Sequence, residues 1–263
     1  MQRPAVMRTR ALRLVQACHP GPTLAVTALA TALAVSVDAR PVRVALAFLA
    51  GQLSVGWSND WIDAERDRTV ARPDKPVVQG LPVGTVRTAA LLAAAACVPL
   101  SLALGTRAGL AHLVAVASAW AYNSGLKATL LSWAPYALSF GLVPSIVTLV
   151  LRVWPPWWAT TAGALLGVGA HAANVLPDLA ADAQTGVRGL PQRLGARGAS
   201  LLAGGCLLAA SLVLSPLAVV PAVLVFAVGI RRGGRAVFLS VIAVAAVDVA
   251  LLLLRGADLV PGR

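Results

Sequence analysis

The chain has 263 residues, 58% of them hydrophobic and only 12% charged, and its mean hydropathy is +0.79. Because soluble proteins carry charge on about a quarter of their residues, this composition excludes a soluble domain and indicates an integral membrane protein. The net charge of +12 does not indicate nucleic-acid binding, since the basic residues are scattered between apolar runs and form no single patch.

Apolar runs long enough to cross a bilayer recur along the whole chain. A hydrocarbon core of about 30 Å takes about 20 residues of helix. Segments bounded by charges, loops and Gly/Pro clusters predict nine transmembrane helices, near residues 20–37, 42–58, 85–104, 108–123, 131–151, 157–176, 199–214, 217–230 and 236–254. The predicted fold class is therefore all-α, a polytopic membrane protein in which residues 1–263 form one domain.

The basic residues predict how this bundle is oriented. Nine spans put the two termini on opposite sides of the membrane. If the N-terminus is inside, 16 of the 22 Lys and Arg residues flank inner helix ends and six flank outer ones, which agrees with the positive-inside rule. We therefore expect a multi-pass protein of the cell membrane with a cytoplasmic N-terminus and an outside C-terminus.

The segment NDWIDAERD follows the second predicted span and holds four of the ten acidic residues. If the helix continues through it, Asn59, Asp63 and Asp67 lie on an arc of about 80°. Asp60 falls beside this arc, and Glu65 points away. Carboxylates gathered in this way repel each other and raise each other's pKa values unless a cation lies between them. The alternative is a solvated loop whose acids pair with neighbouring arginines.

The same three residue types recur at the same four-residue step in Asn174, Asp178 and Asp182. The offset between the groups is 115 residues, which indicates a duplication of two four-helix halves with a ninth helix added. Both groups follow a span that is predicted to end on the cytoplasmic side. We therefore expect them to face each other across one site, with Pro177 breaking or kinking the helix of the second group.

Carboxylate and amide oxygens are hard ligands that suit Mg²⁺. A Zn²⁺ site is excluded, because no set of Cys and His residues accompanies the acids. Two such groups on facing helices can hold Mg²⁺ ions with a diphosphate between them.

At these residues the chain resembles the UbiA superfamily of intramembrane prenyltransferases. The segments NDWIDAERD and DLAAD resemble the two acidic motifs of that family, and RPDKPVVQG, YNSGLK and TGVRGLPQRLG resemble other segments of the family. The resemblance covers nearly the whole chain. It implies Mg²⁺-dependent transfer of an isoprenyl group from an isoprenyl diphosphate to an acceptor, which is an aromatic, quinone-precursor or other lipid-precursor molecule. The allylic C–O bond ionises, and a nucleophile takes the carbocation.

The resemblance also implies roles for individual residues. The expected metal ligands are Asn59, Asp60, Asp63, Asp67, Asp178 and Asp182. The expected catalytic residues are Asp63, Asp67, Asp178, Asp182 and Lys127. The expected diphosphate-binding residues are Asn59, Arg72, Tyr122, Lys127, Asn174 and Arg188. A diphosphate leaves easily only when metal ions and fixed cations meet its developing charge. The apolar helices would shelter the prenyl chain and exclude water.

Two other functions fit parts of the pattern. A membrane terpene cyclase of the same superfamily needs the same acids, and the double bond of the substrate itself then traps the cation. An ion-coupled transporter also combines internal repeats with intramembrane acids. Transporter sites usually lie near the bilayer midplane, however, whereas both acidic groups here are predicted at the cytoplasmic side.

Two single residues have two interpretations each. His171 precedes Asn174 by three residues and shares its helix face, so it either contacts the acceptor or packs within the bundle. Asp248 lies in the interior of the ninth span, where a charge is costly. It is either a functional residue or a neutral or paired residue that packs between helices.

Overall fold

The computed structural model describes residues 3–70, 72–233 and 235–260, and these residues form α-helices and short 3₁₀ turns without strands. The α-helices are α1 Arg3–Ala17, α2 Pro20–Ser36, α3 Pro41–Ile62, α4 Ala64–Thr69, α5 Val83–Leu102, α6 Thr106–Asn123, α7 Ala134–Val150, α8 Trp157–Val175, α9 Leu179–Thr185, α10 Leu190–Leu214, α11 Val219–Arg232 and α12 Arg235–Leu254.

Each of the nine predicted spans overlaps one of the longer helices, namely α2, α3, α5, α6, α7, α8, α10, α11 and α12. By length and composition alone, α5, α10 and α12 are apolar enough to cross a membrane. The part of α1 from Thr9 to Ala17 and α2, bent by 58° at the break between them, pass the same test as a pair. In the described residues this criterion identifies three membrane-spanning candidates, or four with the bent pair, which is fewer than the nine predicted spans.

Two helix boundaries differ from the predictions. Helix α3 ends at Ile62, four residues later than expected, because the polar residues of the first acidic group continue it. Helix α10 begins at Leu190 rather than near residue 199. It joins two helical pieces across Gly195, whose φ of 68° is in the left-handed region that favours glycine.

Helix α8 packs between α7 and α10. Gly163 and Gly167 of α8 lie against the carbonyl oxygens of Phe140 and Tyr136 in α7, and a Cβ on these glycines would lie 2.6 Å and 2.3 Å from them. Close backbone approach through small residues is how helices associate in lipid, where burial of apolar surface gives little driving force. The two glycines therefore fix α7 and its tyrosine against α8.

A small apolar cluster holds the loop between α4 and α5. Its buried members are Ala17, Ala64, Val77, Leu81 and Val86, and Leu14, Trp57 and Trp61 pack against them. The indole Nε1 of Trp57 donates to the carbonyl oxygen of Leu14 at 2.8 Å. This cluster fastens α1 and the loop to the end of α3, and so fixes the part of the loop that carries Arg72 and Lys75.

Candidate active site

The first acidic group lies where α3 passes into α4. The helix breaks at Asp63, so the predicted continuous helix is wrong in detail. The four-residue hydrogen bonds nevertheless persist, from the Asp63 amide to the Asn59 carbonyl at 2.9 Å and from the Asp67 amide to the Asp63 carbonyl at 2.8 Å. The helical spacing of Asn59, Asp63 and Asp67 is therefore kept across the break. The side chain of Glu65 is 88% exposed, as its predicted outward direction requires.

The second acidic group lies where α8 passes into α9. Helix α8 ends at Val175, and the 3₁₀ turn Leu176–Asp178 contains Pro177. Proline has no amide N–H to continue the helical hydrogen bonds, which explains the break that the sequence predicts. Each of the long helices α3 and α8 is thus followed by a short helix that carries acids, a local similarity between the two halves of the chain.

A cavity of about 470 Å³ brings the two groups together. The predicted site residues that line it are Asn59, Asp60, Asp63, Arg72, Tyr122, Lys127, Asn174, Asp178 and Asp182. Nη1 of Arg72 lies 3.1 Å from Oδ1 of Asp178, so a basic side chain that follows the first group directly contacts the second.

Asp63 is held by two cations and one amide. Nζ of Lys127 contacts its Oδ1, and Nη2 of Arg66 lies 2.9 Å from its Oδ2. Asn59 donates from Nδ2 to the same Oδ2 at 3.3 Å. Burial lowers the pKa of Lys127 although Asp63 opposes this effect. Asp63 therefore anchors two basic groups at the cavity surface.

Lys75 lies between the other two acids of this group. Its Nζ is 2.7 Å from Oδ1 of Asp60 and 3.9 Å from Oδ2 of Asp67. Nε2 of His19 also contacts Oδ1 of Asp60, at 2.9 Å. Oδ1 of Asp60 is thus occupied by Lys75 and His19, whereas its Oδ2 has no hydrogen-bond partner.

Asp67 is 0% exposed and is not one of the residues that line the cavity. Both of its carboxylate oxygens are buried without a hydrogen-bond partner. Burial raises its pKa, and the positive charge of Lys75 counteracts that rise. A buried carboxylate with free oxygens retains the capacity to bind a cation.

The second group is held more loosely. Arg72 pairs with Asp178 and, at 2.9 Å, with Asp74, whose hydrogen bond raises the pKa of the arginine. Gln192 donates from Nε2 to Oδ2 of Asp182 at 2.8 Å. Burial raises the pKa of Asp182, although this hydrogen bond acts to lower it. The side chain of Asp178 is 41% exposed.

The structure does not bring Arg188 to this cavity. Arg188 is exposed and lines a second cavity of about 500 Å³ beside α9 and α10, which shares Val187 and Gln192 with the first. The prediction that Arg188 binds diphosphate is therefore not supported by its position.

Several cavity residues were not among the predicted site residues. Among them are His19, Arg66, Lys75, Asn123 and Gln192. Asn123 donates to Ser58 Oγ at 2.8 Å and accepts from Asn59 Nδ2 at 3.2 Å, and so orients that amide. Lys75, Asn123 and Gln192 lie in the segments RPDKPVVQG, YNSGLK and TGVRGLPQRLG, respectively. The polar side chains of these segments were therefore the sequence signal for these residues.

His171 and Asp248 lie away from the cavity surface in the described structure. His171 is fully buried, its Nε2 lies 3.0 Å from Ser132 Oγ, and its ring packs 4.8 Å from the ring of Tyr136. Asp248 of α12 accepts a hydrogen bond from Ser211 of α10 at 2.6 Å. These contacts support the packing interpretation for both residues.

The donor set of the cavity is compatible with a hard cation. Its described lining holds the carboxylates Asp60, Asp63, Asp74, Asp178 and Asp182 and the basic residues Arg66, Arg72, Lys75 and Lys127. With Asp67 behind the lining, acids outnumber bases. Within the described part of the chain, no three Asp, Glu, His or Cys side chains converge as a metal site, because the acids are drawn to the basic groups. Both oxygens of Asp67 and Oδ2 of Asp60 are hard donors without a hydrogen-bond partner, and the oxygens of Asp67 lie 3.9 Å from Arg66 and from Lys75.

The fold is similar to that of solved UbiA structures. A UbiA homologue from Archaeoglobus fulgidus bound to DMAPP and Mg²⁺ matches with a TM-score of 0.70 and 14% identity, over 94% of this chain and 100% of that one. The same homologue bound to GPP and Mg²⁺ matches with a TM-score of 0.68 and 16% identity, over 94% and 99%. A digeranylgeranylglyceryl phosphate synthase matches with a TM-score of 0.66 and 12% identity, over 95% and 98%.

At these identities the structural matches show the fold alone. A comparison with curated protein sequences found no significant match. The family model of the UbiA prenyltransferase family, however, matches residues 21–259. This range contains both acidic groups and every basic residue of the cavity. The chain belongs to the UbiA prenyltransferase family.

Proposed function

We propose that the protein is a Mg²⁺-dependent prenyltransferase that moves an isoprenyl group from an isoprenyl diphosphate to an acceptor within the membrane. The observation that carries the proposal is the cavity in which two acidic groups from distant parts of the chain meet four basic side chains. The family membership and the DMAPP and GPP bound to the Archaeoglobus homologue support the substrate class.

In the proposed site the acids hold Mg²⁺ and the basic residues bind the diphosphate. Asn59, Asp63, Asp178 and Asp182 face the cavity and would hold Mg²⁺, with the free oxygens of Asp67 behind them. When bound, Mg²⁺ neutralises diphosphate oxygens and so weakens the bond to the departing prenyl carbon. Since every basic residue of the cavity is already paired with an acid, binding requires an exchange of partners.

The basic residues then bind diphosphate. Arg66 and Lys127 contact Asp63 in the ligand-free arrangement, and Arg72 contacts Asp178. Their nitrogen atoms are therefore directed to the place where the acids meet. Charge that develops on the departing diphosphate is stabilised by such preorganised cations.

An aromatic wall forms another part of the cavity lining. Tyr122, Tyr136 and Phe140 line it, and the rings of the two tyrosines meet edge to face with 5.2 Å between centroids. Apolar rings exclude water that would quench a carbocation, and their faces attract positive charge. We assign the reacting end of the prenyl chain to this wall.

We further propose that the nine long helices all span the cell membrane, with the N-terminus and both acidic groups on the cytoplasmic side and the C-terminus outside. The support is the distribution of basic residues, which favours this orientation. The paired arrangement of α3 with α4 and of α8 with α9 supports two related halves followed by a ninth helix.

The test is turnover by purified protein in detergent or nanodiscs. Geranyl, farnesyl and geranylgeranyl diphosphate would be supplied with Mg²⁺ and a panel of phenols, quinols and glycerol lipids, and pyrophosphate release and product masses would be measured. We expect pyrophosphate release that depends on both Mg²⁺ and an acceptor. Release without acceptor, with a cyclic hydrocarbon or alcohol as product, would instead show a cyclase. The absence of pyrophosphate release with every substrate would overturn the proposal.

A further inference from the structure

The second cavity, of about 500 Å³, lies beside the candidate active site and differs from it in charge. Helix α9, the segment after it and the start of α10 form this cavity. Its charged members are Arg188 and Arg193, and no Asp or Glu is among its described lining residues. The first cavity collects more acids than bases, whereas the second is purely basic.

The two arginines are tied to each other and not to acids. Nε of Arg193 donates to the carbonyl oxygen of Arg188 at 2.8 Å, which fixes the direction of the Arg193 guanidinium. Both residues are exposed, and the ion pairs of the described structure include neither of them. Two unpaired guanidinium groups on one concave surface create a positive potential that attracts anions.

Gln192 separates this basic cavity from the acids of the first one. It lines both cavities, and its Nε2 donates to Oδ2 of Asp182 at 2.8 Å. Asp182 lines the first cavity and is absent from the described lining of the second. The carboxylate that follows the second acidic motif is therefore held on the far side of Gln192, where it does not neutralise the two arginines.

A kink in α10 keeps the second cavity open. Gly195 has a φ of 68° and joins the two helical pieces of α10. A Cβ built on Gly195 would meet no atom within 4 Å, so the space beside the kink is empty of side chains. Gly195 and Ala196 thus line the cavity without filling it.

The chemistry of the lining favours a phosphate group as the occupant. An uncharged group would leave both guanidinium charges without a counter-ion. A carboxylate has two oxygens, which match one guanidinium fork, whereas a phosphate has enough oxygens to accept from two forks at once. Because the described lining holds no acid, such an anion needs no Mg²⁺ to offset repulsion, in contrast to a diphosphate in the first cavity.

We propose that the second cavity is a metal-independent binding site for a phosphate group, with Arg188 and Arg193 as its ligands. This site is separate from the site proposed for the isoprenyl diphosphate, and it does not depend on the proposed prenyl transfer. Inorganic pyrophosphate and the head group of an anionic phospholipid present the same phosphate oxygens, so the experiment has one arm for each source.

The first arm uses inorganic pyrophosphate, titrated by calorimetry into the purified protein in detergent with EDTA. The second arm uses mixed micelles with equal amounts of phosphatidylglycerol and phosphatidylcholine, and native mass spectrometry would count the lipids that the protein retains. Both arms would include Arg188→Gln, Arg193→Gln and the control Arg197→Gln. Arg197 is exposed on α10 and lies outside both cavities, so its variant removes the same charge elsewhere. Arg188→Gln leaves the backbone carbonyl that Arg193 contacts in place.

We expect the wild-type protein to bind pyrophosphate without Mg²⁺ or to retain phosphatidylglycerol in preference to phosphatidylcholine. Arg188→Gln and Arg193→Gln should each weaken that binding by more than about tenfold, because charge-assisted hydrogen bonds are lost. Arg197→Gln should bind as the wild-type protein does. Pyrophosphate binding identifies a free anion as the occupant, and selective retention of phosphatidylglycerol identifies a lipid. Binding of neither ligand in EDTA, or equal weakening in all three variants, would overturn the proposal.

Discussion

The two acidic groups have the same residue types at the same spacing but different surroundings. In the first group Asp60, Asp63 and Asp67 are 1%, 5% and 0% exposed and lie among Arg66, Lys75 and Lys127. In the second group Asp178 is 41% exposed and follows a turn that proline interrupts. Equal spacing therefore does not give equal roles. The first group is buried as a whole, whereas the second combines a half-exposed Asp178 with a buried Asp182 that Gln192 holds.

The largest expected effect comes from removing the metal. Since acids outnumber bases in the cavity, an anionic diphosphate cannot bind well without added positive charge. Chelation with EDTA should abolish pyrophosphate release, and added Mg²⁺ should restore it. Activity that persists after exhaustive chelation would show that the two groups do not act through a metal.

The next largest effect is expected for Asp63→Asn. This change keeps the size of the side chain but removes the charge that Lys127 and Arg66 contact. We expect turnover to fall by about 10²–10³-fold, because a preorganised group at the developing charge is lost. Pyrophosphate release is the measurement, and Glu65→Gln, on the exposed face of α4, is the control that should keep wild-type activity. Equal losses in both variants would mean that the buried position of Asp63 has no special function.

Asp178→Asn should have a smaller effect than Asp63→Asn if the second group is the more adaptable one. Its loss frees Arg72 but leaves Asp182 and the whole first group in place. We expect turnover to fall by about 10–10²-fold, with a higher KM for the diphosphate. The matched control is Gln184→Asn on exposed α9, for which no change is expected. A loss for Asp178→Asn larger than that for Asp63→Asn would reverse the proposed division of roles.

The smallest effect is expected for the arginine that follows the second group. Arg188 lines an adjoining cavity and forms no ion pair with the acids in the described structure. Arg188→Gln should therefore change the KM for diphosphate by less than about twofold, whereas Arg72→Gln should raise it strongly, because a charge-assisted contact at the site is lost. Steady-state kinetics of the two variants provide the comparison. A similar increase in both would show that Arg188 reaches the bound substrate.

The sequence predicted the long helices well because their signals are local. Apolar runs, prolines at the first turns of α2 and α3 and charged loops are visible within about 20 residues. The break at Pro177 is local in the same sense. The meeting of the two acidic groups was predicted from their repeated spacing, which is a longer-range regularity.

What the sequence did not predict depends on contacts between distant segments. His19 and Asp60 are 41 residues apart, and Asn59 and Asn123 are 64 residues apart. No periodicity indicates such pairs, so the occupation of Asp60 by Lys75 and His19 emerged only from the fold. The position of Arg188 depends on the direction of one residue in an irregular turn, which spacing does not determine.

The central claim is that both acidic groups form one metal and diphosphate site. Its most direct test is a cryo-EM or crystal structure of the protein with Mg²⁺ and geranyl S-thiolodiphosphate. We expect metal density in contact with both Asp63 and Asp178, the diphosphate between them, and Arg72 and Lys127 moved from their acid partners to diphosphate oxygens. Diphosphate held by one acidic group alone, with the other still paired to its basic residues, would contradict the claim.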